Sequence, residues 1–159
     1  MKGMVRKARI SDVPRIQELI KFYASRGLLL QRSLGEIYDN LRDFFLFEED
    51  GLVVGVCALH ICWEDLAEIR SLAVAEDVRG KGVGKKLVEA CLHEAKELGI
   101  AKVFLLTYIP EYFRRFGFEV VEKATLPHKI WRDCLRCVKF PNCDEIAMAL
   151  ELKDGQGDP

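Results

Sequence analysis

The spacing of apolar residues divides the first third of the chain into short strand-like and helix-like segments. Residues 5–9 form a strand-like run. Apolar side chains then recur three and four residues apart, which predicts a helix with Ser11 or Asp12 as its N-cap and an end near Arg26-Gly27. The apolar positions of this helix are Val13, Ile16, Leu19, Ile20 and Tyr23. Residues 34–41 predict a second, short helix.

The rest of the pattern predicts six further elements. Phe44–Glu49 and residues 52–61 flank Asp50-Gly51, a strong turn signal, and therefore predict a β-hairpin. Leu66–Val74 is another strand-like run, and helical spacing follows from near Gly84 to Gly99, a typical C-cap residue. Residues 102–106 and 144–152 read as strands, whereas residues 126–142 follow no regular period. We expect an α/β (α+β) fold, with helices on both faces of a mixed, mostly antiparallel sheet.

Composition narrows the class of protein. A chain of 159 residues with 50% hydrophobic and 31% charged residues fits one domain, expected over residues 1–152, with a flexible tail at 153–159. A net charge of −1 argues against nucleic acid as a partner. The chain has no apolar run long enough to span a membrane, and its first residues lack the apolar core of a signal peptide. We therefore expect a cytoplasmic protein whose six cysteines are reduced.

The segment Arg79-Gly80-Lys81-Gly82-Val83-Gly84 joins a strand-like run to a helical one. Glycines let the backbone approach a ligand closely, and backbone amides at a helix N-terminus favour anions. Four cations lie in or beside the segment: Arg79, Lys81, Lys85 and Lys86. The pattern predicts a phosphate site; the alternative is a glycine-rich turn before a solvated, basic helix start.

The spacing of these glycines excludes two common phosphate motifs. A P-loop needs four residues between its first glycine and Gly-Lys-Ser/Thr, and the dinucleotide fingerprint needs one more residue before its third glycine. What remains is Arg79-x-x-Gly82-x-Gly84, which resembles the acetyl-CoA pyrophosphate loop of the GNAT superfamily of N-acetyltransferases. Leu66–Val74 resembles the fourth strand of that family, which splays from the fifth, and residues 112–118 resemble its closing helix and Gly-Phe turn.

The resemblance implies the GNAT fold and an enzyme that transfers acetyl directly from acetyl-CoA to an amine in a ternary complex. It implies that residues of the strand end, the loop and the closing helix contact the co-substrate. These residues are Leu72, Ala73, Val74, Arg79, Gly80, Lys81, Gly82, Val83, Gly84, Lys85 and Phe113.

Glu68 is the candidate general base. On a strand it shares a face with Arg70, Leu72 and Val74, so this face runs from charged to apolar. The alternative is an exposed Glu68–Arg70 pair at a strand end. The tyrosine that many family members use as general acid is replaced here by Phe113, which makes the hydroxyls of Thr107 and Tyr108 the alternative acids.

The acceptor is expected to be a small molecule. Residues 27–33 resemble a segment of N-acetylglutamate synthase acetyltransferase domains in which an arginine before a serine binds glutamate, so the resemblance implies Arg32 and Ser33 as substrate residues. Arg70 is the second arginine, because a dicarboxylic amino acid needs cations at both carboxylates. The resemblance is to a short, stand-alone form without the amino-acid-kinase-like domain. Another small amine, a protein N-terminus and a non-catalytic CoA-binding module stay open, as does a homodimer.

The segment 126–143 is basic and contains Lys129, which a lid over an acidic substrate would use. It also contains Cys134, Cys137 and Cys143, a weak candidate set for zinc because a second Cys-x-x-Cys pair is missing. The favoured interpretation is that these cysteines are structural, and we expect no metal. A zinc site is the second interpretation and a redox switch is the third.

Overall fold

The computed structural model describes residues 3–126 and 145–152. The strands are β1 (Gly3–Lys7), β2 (Phe44–Glu49), β3 (Leu52–Trp63), β4 (Leu66–Val74), β5 (Lys102–Thr107), β6 (Glu119–Val120) and β7 (Ile146–Glu151). The α-helices are α1 (Val13–Ala24), α2 (Leu34–Asp39), α3 (Val83–Leu98) and α4 (Pro110–Arg114).

The strands form a seven-stranded sheet in the order β1-β2-β3-β4-β5-β7-β6. Pairing is antiparallel for β1 with β2, β2 with β3, β5 with β7 and β6 with β7, and parallel for β4 with β5. The predicted mixed, mostly antiparallel sheet is therefore confirmed. The parallel ladder ends at Glu68 and Phe104, although β4 continues to Val74 and β5 to Thr107.

The described residues group into two compact units. The first contains the residues up to His60 together with Ile69–Glu94, and the second contains Ile61–Glu68 and the described residues from Ala95 onward. The single domain expected over residues 1–152 stays a prediction, and the tail expected at 153–159 lies outside the described residues.

In the first unit the sheet carries helices on both of its faces. Val56 and Ala58 of β3 pack in a core with the predicted apolar face of α1. The alternate residue Gly55 lies under α3 instead: a Cβ on Gly55 would come within 2.7 Å of the Val83 side chain and 3.0 Å of the Leu87 side chain. Alternate strand residues point to opposite faces, so α1 and α3 cover opposite sides.

The hairpin between β2 and β3 is confirmed. Its turn residues Asp50 and Gly51 have φ values of 53° and 80°, the two positive values that a type I′ turn requires. The ladder pairs Phe44 with Ala58 and Glu49 with Leu52.

The N-cap of α1 falls at one of its two predicted residues. Asp12 occupies the N-cap position but makes no cap hydrogen bond to the helix. Its carboxylate instead forms a bidentate pair with Arg6, at 2.8 Å and 3.0 Å, and accepts from the Arg9 amide at 2.7 Å. The guanidinium of Arg6 lowers the pKa of the Asp12 carboxyl. A charged partner on β1 thus outcompetes the helix amides for this carboxylate.

β1 begins and ends two residues earlier than the predicted run of residues 5–9. Its ladder with β2 runs from Gly3 opposite Glu49 to Lys7 opposite Phe45, after which Arg9 leads into a short 3₁₀ turn. α2 ends at Asp39, two residues before the predicted end of that helix.

In the second unit β5 pairs with β7 along its whole length, from Lys102 opposite Glu151 to Thr107 opposite Ile146. These two strands contribute to a small hydrophobic core. Its buried residues are Leu66, Phe104, Leu126, Ala147 and Ala149. Gly117 has a φ of 98°, which allows the predicted turn between α4 and β6.

Candidate active site

The loop between β4 and α3 has the backbone that an anion site requires. The chain leaves β4 at Val74, makes a 3₁₀ turn over Glu76–Val78 and then carries positive φ at Gly80 (82°) and Gly82 (84°). A Cβ at either glycine would meet nothing within 4 Å, so the loop backbone is open to an approaching ligand. The predicted glycine-rich turn is therefore present with the conformation that glycine favours.

The helix that follows this loop begins at Val83, one residue before the predicted start near Gly84, and its first amides have no partner one turn earlier within the helix. The amide of Lys86 is the one that donates to the Gly82 carbonyl, at 3.1 Å. The amides at the start of α3 and the positive end of its dipole therefore face the loop. Helical structure extends to Leu98, and Gly99 has the positive φ (83°) of a C-cap, as predicted.

The four predicted cations of this loop are exposed side chains. Arg79 is 60% exposed and its guanidinium lies 3.9 Å from the Glu76 carboxylate, a loose contact in water. The ammonium of Lys86 lies 5.8 Å from the centre of the Phe47 ring. Lys81 of the loop and Lys85 in the first turn of α3 are exposed to solvent. The loop is therefore a local basic patch on a chain of net charge −1.

Strand β4 shows the predicted alternation. Leu66–Val74 keeps one face half-buried, with Glu68, Arg70, Leu72 and Val74, while Ile69, Ser71 and Ala73 are buried on the other. Glu68 belongs to the second unit, where its ladder neighbour is Phe104, and Arg70 to Val74 belong to the first.

Ser71 is a feature that the sequence pattern missed. It has a φ of 59°, in the left-handed region, although it lies inside a strand and its residue is 6% exposed. A non-glycine residue in this conformation carries strain, which folded proteins concentrate at functional sites. Serine is not a signal for positive φ, so nothing in the sequence pointed to it.

Arg32 and Ser33 precede α2 in the first unit. Arg32 is 7% exposed, its guanidinium lies 3.7 Å from the Glu36 carboxylate, and its carbonyl accepts from the Gln17 amide at 3.3 Å. Ser33 forms a capping box with Glu36: its hydroxyl accepts from the Glu36 amide at 3.1 Å, and the Glu36 carboxylate accepts from the Ser33 amide at 3.0 Å. The cap explains a serine at position 33 independently of any ligand.

The candidate acids lie at the end of β5 in the second unit. Thr107 is 6% exposed and its hydroxyl oxygen accepts from the Ile109 amide at 2.9 Å, just before α4. Its O–H remains able to donate. Tyr108 is half-buried. Phe113 is buried against aromatic rings, with ring centres 5.1 Å from Tyr112 and 6.1 Å from Phe118.

Lys129 and the cysteines at 134, 137 and 143 lie outside the described residues. Across residues 3–126 and 145–152, no three His, Cys, Asp or Glu side chains come together as metal ligands would. The described cysteines, Cys57, Cys62 and Cys91, are thiols rather than disulfides. The sulfurs of Cys57 and Cys91 lie 3.7 Å apart in the core, and this contact together with burial raises the pKa of Cys91.

The mixed sheet and the position of the glycine-rich loop agree with an acetyltransferase fold, and comparison with known proteins shows the family. The sequence profile of the Acetyltransferase (GNAT) family matches residues 13–118, and this chain belongs to that family. An uncharacterized N-acetyltransferase of Chlorobaculum tepidum is 45% identical over 93% of this chain and 96% of its own length. An amino-acid acetyltransferase of Mycobacterium tuberculosis is 38% identical over 85% of this chain and 79% of its own length.

Among solved structures, the N-acetylglutamate synthase of Neisseria gonorrhoeae, complexed with coenzyme A and N-acetyl-glutamate, superposes with a TM-score of 0.86 and 27% identity. The match covers 96% of this chain and 35% of the synthase chain. Across the described residues, none of the helices has both the length and the apolar composition needed to cross a membrane.

Proposed function

We propose that this N-acetyltransferase transfers the acetyl group of acetyl-CoA to the α-amino group of L-glutamate. The observation that carries the proposal is the similarity, over 96% of this chain, to a synthase structure that holds coenzyme A and N-acetyl-glutamate. The relative from M. tuberculosis that is named an amino-acid acetyltransferase supports the same class of acceptor.

The residues of the β4–α3 loop fit a pyrophosphate. The open backbone at Gly80 and Gly82, the amides at the start of α3 and the exposed cations would together hold its negative charge. Acetyl-CoA brings the acetyl group as a thioester. The main chain of Leu72 and Ala73 and the amide of Val74 would hold its pantetheine arm, as the family resemblance implies, while the Val74 carbonyl accepts from the Tyr23 hydroxyl.

Glu68 would accept the proton that the amine of glutamate must lose before it can attack a thioester. The strand fixes the backbone of Glu68, which suits a base whose side chain must reach the amine within hydrogen-bond distance. Thr107 and Tyr108 would donate a hydrogen bond or a proton to the departing thiolate. Phe113 has no hydroxyl, so it would serve the co-substrate through apolar contact.

Arg32 would pair with a carboxylate of glutamate, and Arg70 with the other. The low exposure of Arg32 favours this role, because charge-assisted hydrogen bonds strengthen where water is excluded. The hydroxyl oxygen of Ser33 already accepts from the Glu36 amide. Ser33 would therefore support substrate binding by capping α2 next to Arg32. Lys129 remains a proposed substrate residue from the sequence.

Acceptor-dependent release of CoA by the purified wild-type protein tests this function. We expect release from acetyl-CoA to need L-glutamate and to yield one N-acetylglutamate per CoA. Release that needs a different amine would leave an acetyltransferase with another acceptor. CoA binding without release for any amine would instead describe a non-catalytic module.

A further inference from the structure

The peptide group between Val74 and Ala75, at the end of β4, makes a hydrogen bond through its carbonyl and another through its amide. The carbonyl of Val74 accepts a hydrogen bond from the Tyr23 hydroxyl, and the amide of Ala75 donates to the Val54 carbonyl at 2.8 Å. These two groups belong to one planar peptide unit, because the Val74 carbonyl and the Ala75 amide share the same bond. Hydrogen bonds at both ends of a rigid plane fix its rotation about the chain.

The chain that leaves this plane is the anion loop. Three tight turns connect the two: Val78 donates to Ala75 at 3.1 Å, Arg79 to Glu76 at 3.3 Å, and Lys81 to Val78 at 3.3 Å. Consecutive turns share residues, so they form one connected stretch of backbone. The orientation of the Val74–Ala75 plane therefore influences the orientation of the backbone at Gly80 and Gly82. A rotation of the plane would change the direction in which the backbone groups of the loop point.

Tyr23 is suited to act as a fixed donor. It lies in the last turn of α1, its ring packs edge-on against Phe22 at 5.0 Å between centres, and it borders the core of the first unit. Burial raises the pKa of its hydroxyl, with a smaller raising effect from Glu76 and opposing effects from Arg79 and Arg26. The phenol therefore stays protonated through the neutral range. A phenylalanine would pack equally well, so the hydroxyl is explained by the bond to Val74.

We propose that Tyr23 is a positioning residue of the anion loop, whose hydroxyl orients the Val74–Ala75 peptide and so presets the loop for the pyrophosphate of CoA. The proposal rests on the proposed function for its ligand. Tyr23 acts through the backbone of β4, so it is not a catalytic residue.

The test replaces only the hydroxyl. Tyr23→Phe is compared with Tyr38→Phe, in which an exposed tyrosine of α2 loses the same atom. Binding of CoA and of pantetheine, which lacks the pyrophosphate, is measured by titration calorimetry or by competition. We expect Tyr23→Phe to weaken CoA about three- to tenfold, the range for one lost hydrogen bond, and to leave pantetheine binding unchanged. Tyr38→Phe should match the wild type for both ligands.

Amide hydrogen exchange of the ligand-free protein gives a second readout. Residues 75–86 should exchange faster in Tyr23→Phe, whereas β2, which lies in the same unit, should keep its rate. Unchanged CoA affinity, an equal loss for CoA and pantetheine, or faster exchange throughout the first unit would each overturn the proposal. If the wild type binds no CoA, the proposed function fails; unchanged exchange of residues 75–86 in Tyr23→Phe is the separate result that refutes the role of Tyr23 in the loop.

Discussion

Two charged residues, Glu68 and Arg32, carry most of the proposed chemistry, and different kinds of backbone hold them. Glu68 is one position in a parallel ladder, opposite Phe104, so its place is set by strand pairing. Arg32 precedes the cap of α2, where its carbonyl accepts from Gln17 and its side chain is buried beside Glu36. A base and a substrate anchor both need a fixed backbone, and these contacts hold the backbone at Glu68 and Arg32.

Glu68→Gln keeps the size of the side chain and removes its basicity. We expect kcat to fall by about 10²- to 10⁴-fold, the range for a positioned base, with acetyl-CoA affinity nearly unchanged. The loss should shrink as the pH rises above neutrality, because more of the amine is then already deprotonated. Steady-state kinetics across pH measure this, with Glu119→Gln on the exposed strand β6 as the matched control. Wild-type turnover at neutral pH would remove Glu68 as the base.

Arg32→Ala removes the proposed partner of a glutamate carboxylate. Loss of such a partner costs about 2 to 5 kcal/mol at a desolvated site, so the KM for glutamate should rise at least about tenfold while acetyl-CoA binding is kept. Arg32→Lys should restore only part of the affinity, because an ammonium keeps the charge but loses the planar fork. Arg26→Ala, at the exposed end of α1, is the control. Unaltered glutamate kinetics in Arg32→Ala would contradict the assignment.

At the residue scale, the sequence predicted which face of an element a side chain occupies, because that property follows from the periodicity of apolar residues. The half-buried face of β4 follows from strand alternation, and so could be predicted for Glu68 and Arg70. The positive φ of Ser71 and the bond between Tyr23 and Val74 depend on packing between distant segments, which local pattern does not contain. Tyr23 was correctly placed on the apolar face of α1, but that pattern says nothing about a hydroxyl.

The β4–α3 segment joins a strand end, a turn and a helix start, so both its backbone and its charge can be tested as one element. Gly82 has a φ of 84° and open space where a Cβ would lie. A side chain there would add backbone strain of about 1 to 2 kcal/mol. It would also enter the volume proposed for the phosphates.

Gly82→Glu should abolish acetyl-CoA binding while the protein stays folded, because a carboxylate would occupy the phosphate position and repel its charge. Gly51→Glu is a matched control: Gly51 has a φ of 80° and open space too, but lies in the β2–β3 turn. It should carry similar strain and bind acetyl-CoA normally. Calorimetric titration and thermal melting of both variants make the comparison. Near-normal affinity in Gly82→Glu would exclude the loop from the site.

Elements with strong local signals were predicted well. The Asp50-Gly51 turn and the Gly99 end of α3 each have a residue type that favours the observed φ. The start of α1 also lies where predicted, with Asp12 as the N-cap, but the Asp12 carboxylate bonds to Arg6 of a strand rather than to the helix amides, which a local pattern does not indicate. The boundaries of β1 depend on its ladder with β2, which a single segment cannot reveal.

At the scale of the whole molecule, the GNAT fold was predicted from the resemblance of Arg79-x-x-Gly82-x-Gly84 and its flanking segments to that family, and the family's match over residues 13–118 includes those segments. The antiparallel pairing of β5 with β7 joins residues about 40 to 50 positions apart in sequence and is not encoded by either strand alone.

The most direct measurement of the central claim is the ratio of kcat/KM for L-glutamate to that for L-glutamine, with wild-type protein, acetyl-CoA and product identification by mass spectrometry. The two amino acids have the same shape and differ only in whether the side chain carries a carboxylate or a neutral amide. If Arg32 or Arg70 pairs with that carboxylate, glutamate should be favoured at least about tenfold, which corresponds to about 1.4 kcal/mol. Equal kcat/KM values for the two amino acids, or a higher value for glutamine, would contradict the proposed glutamate specificity.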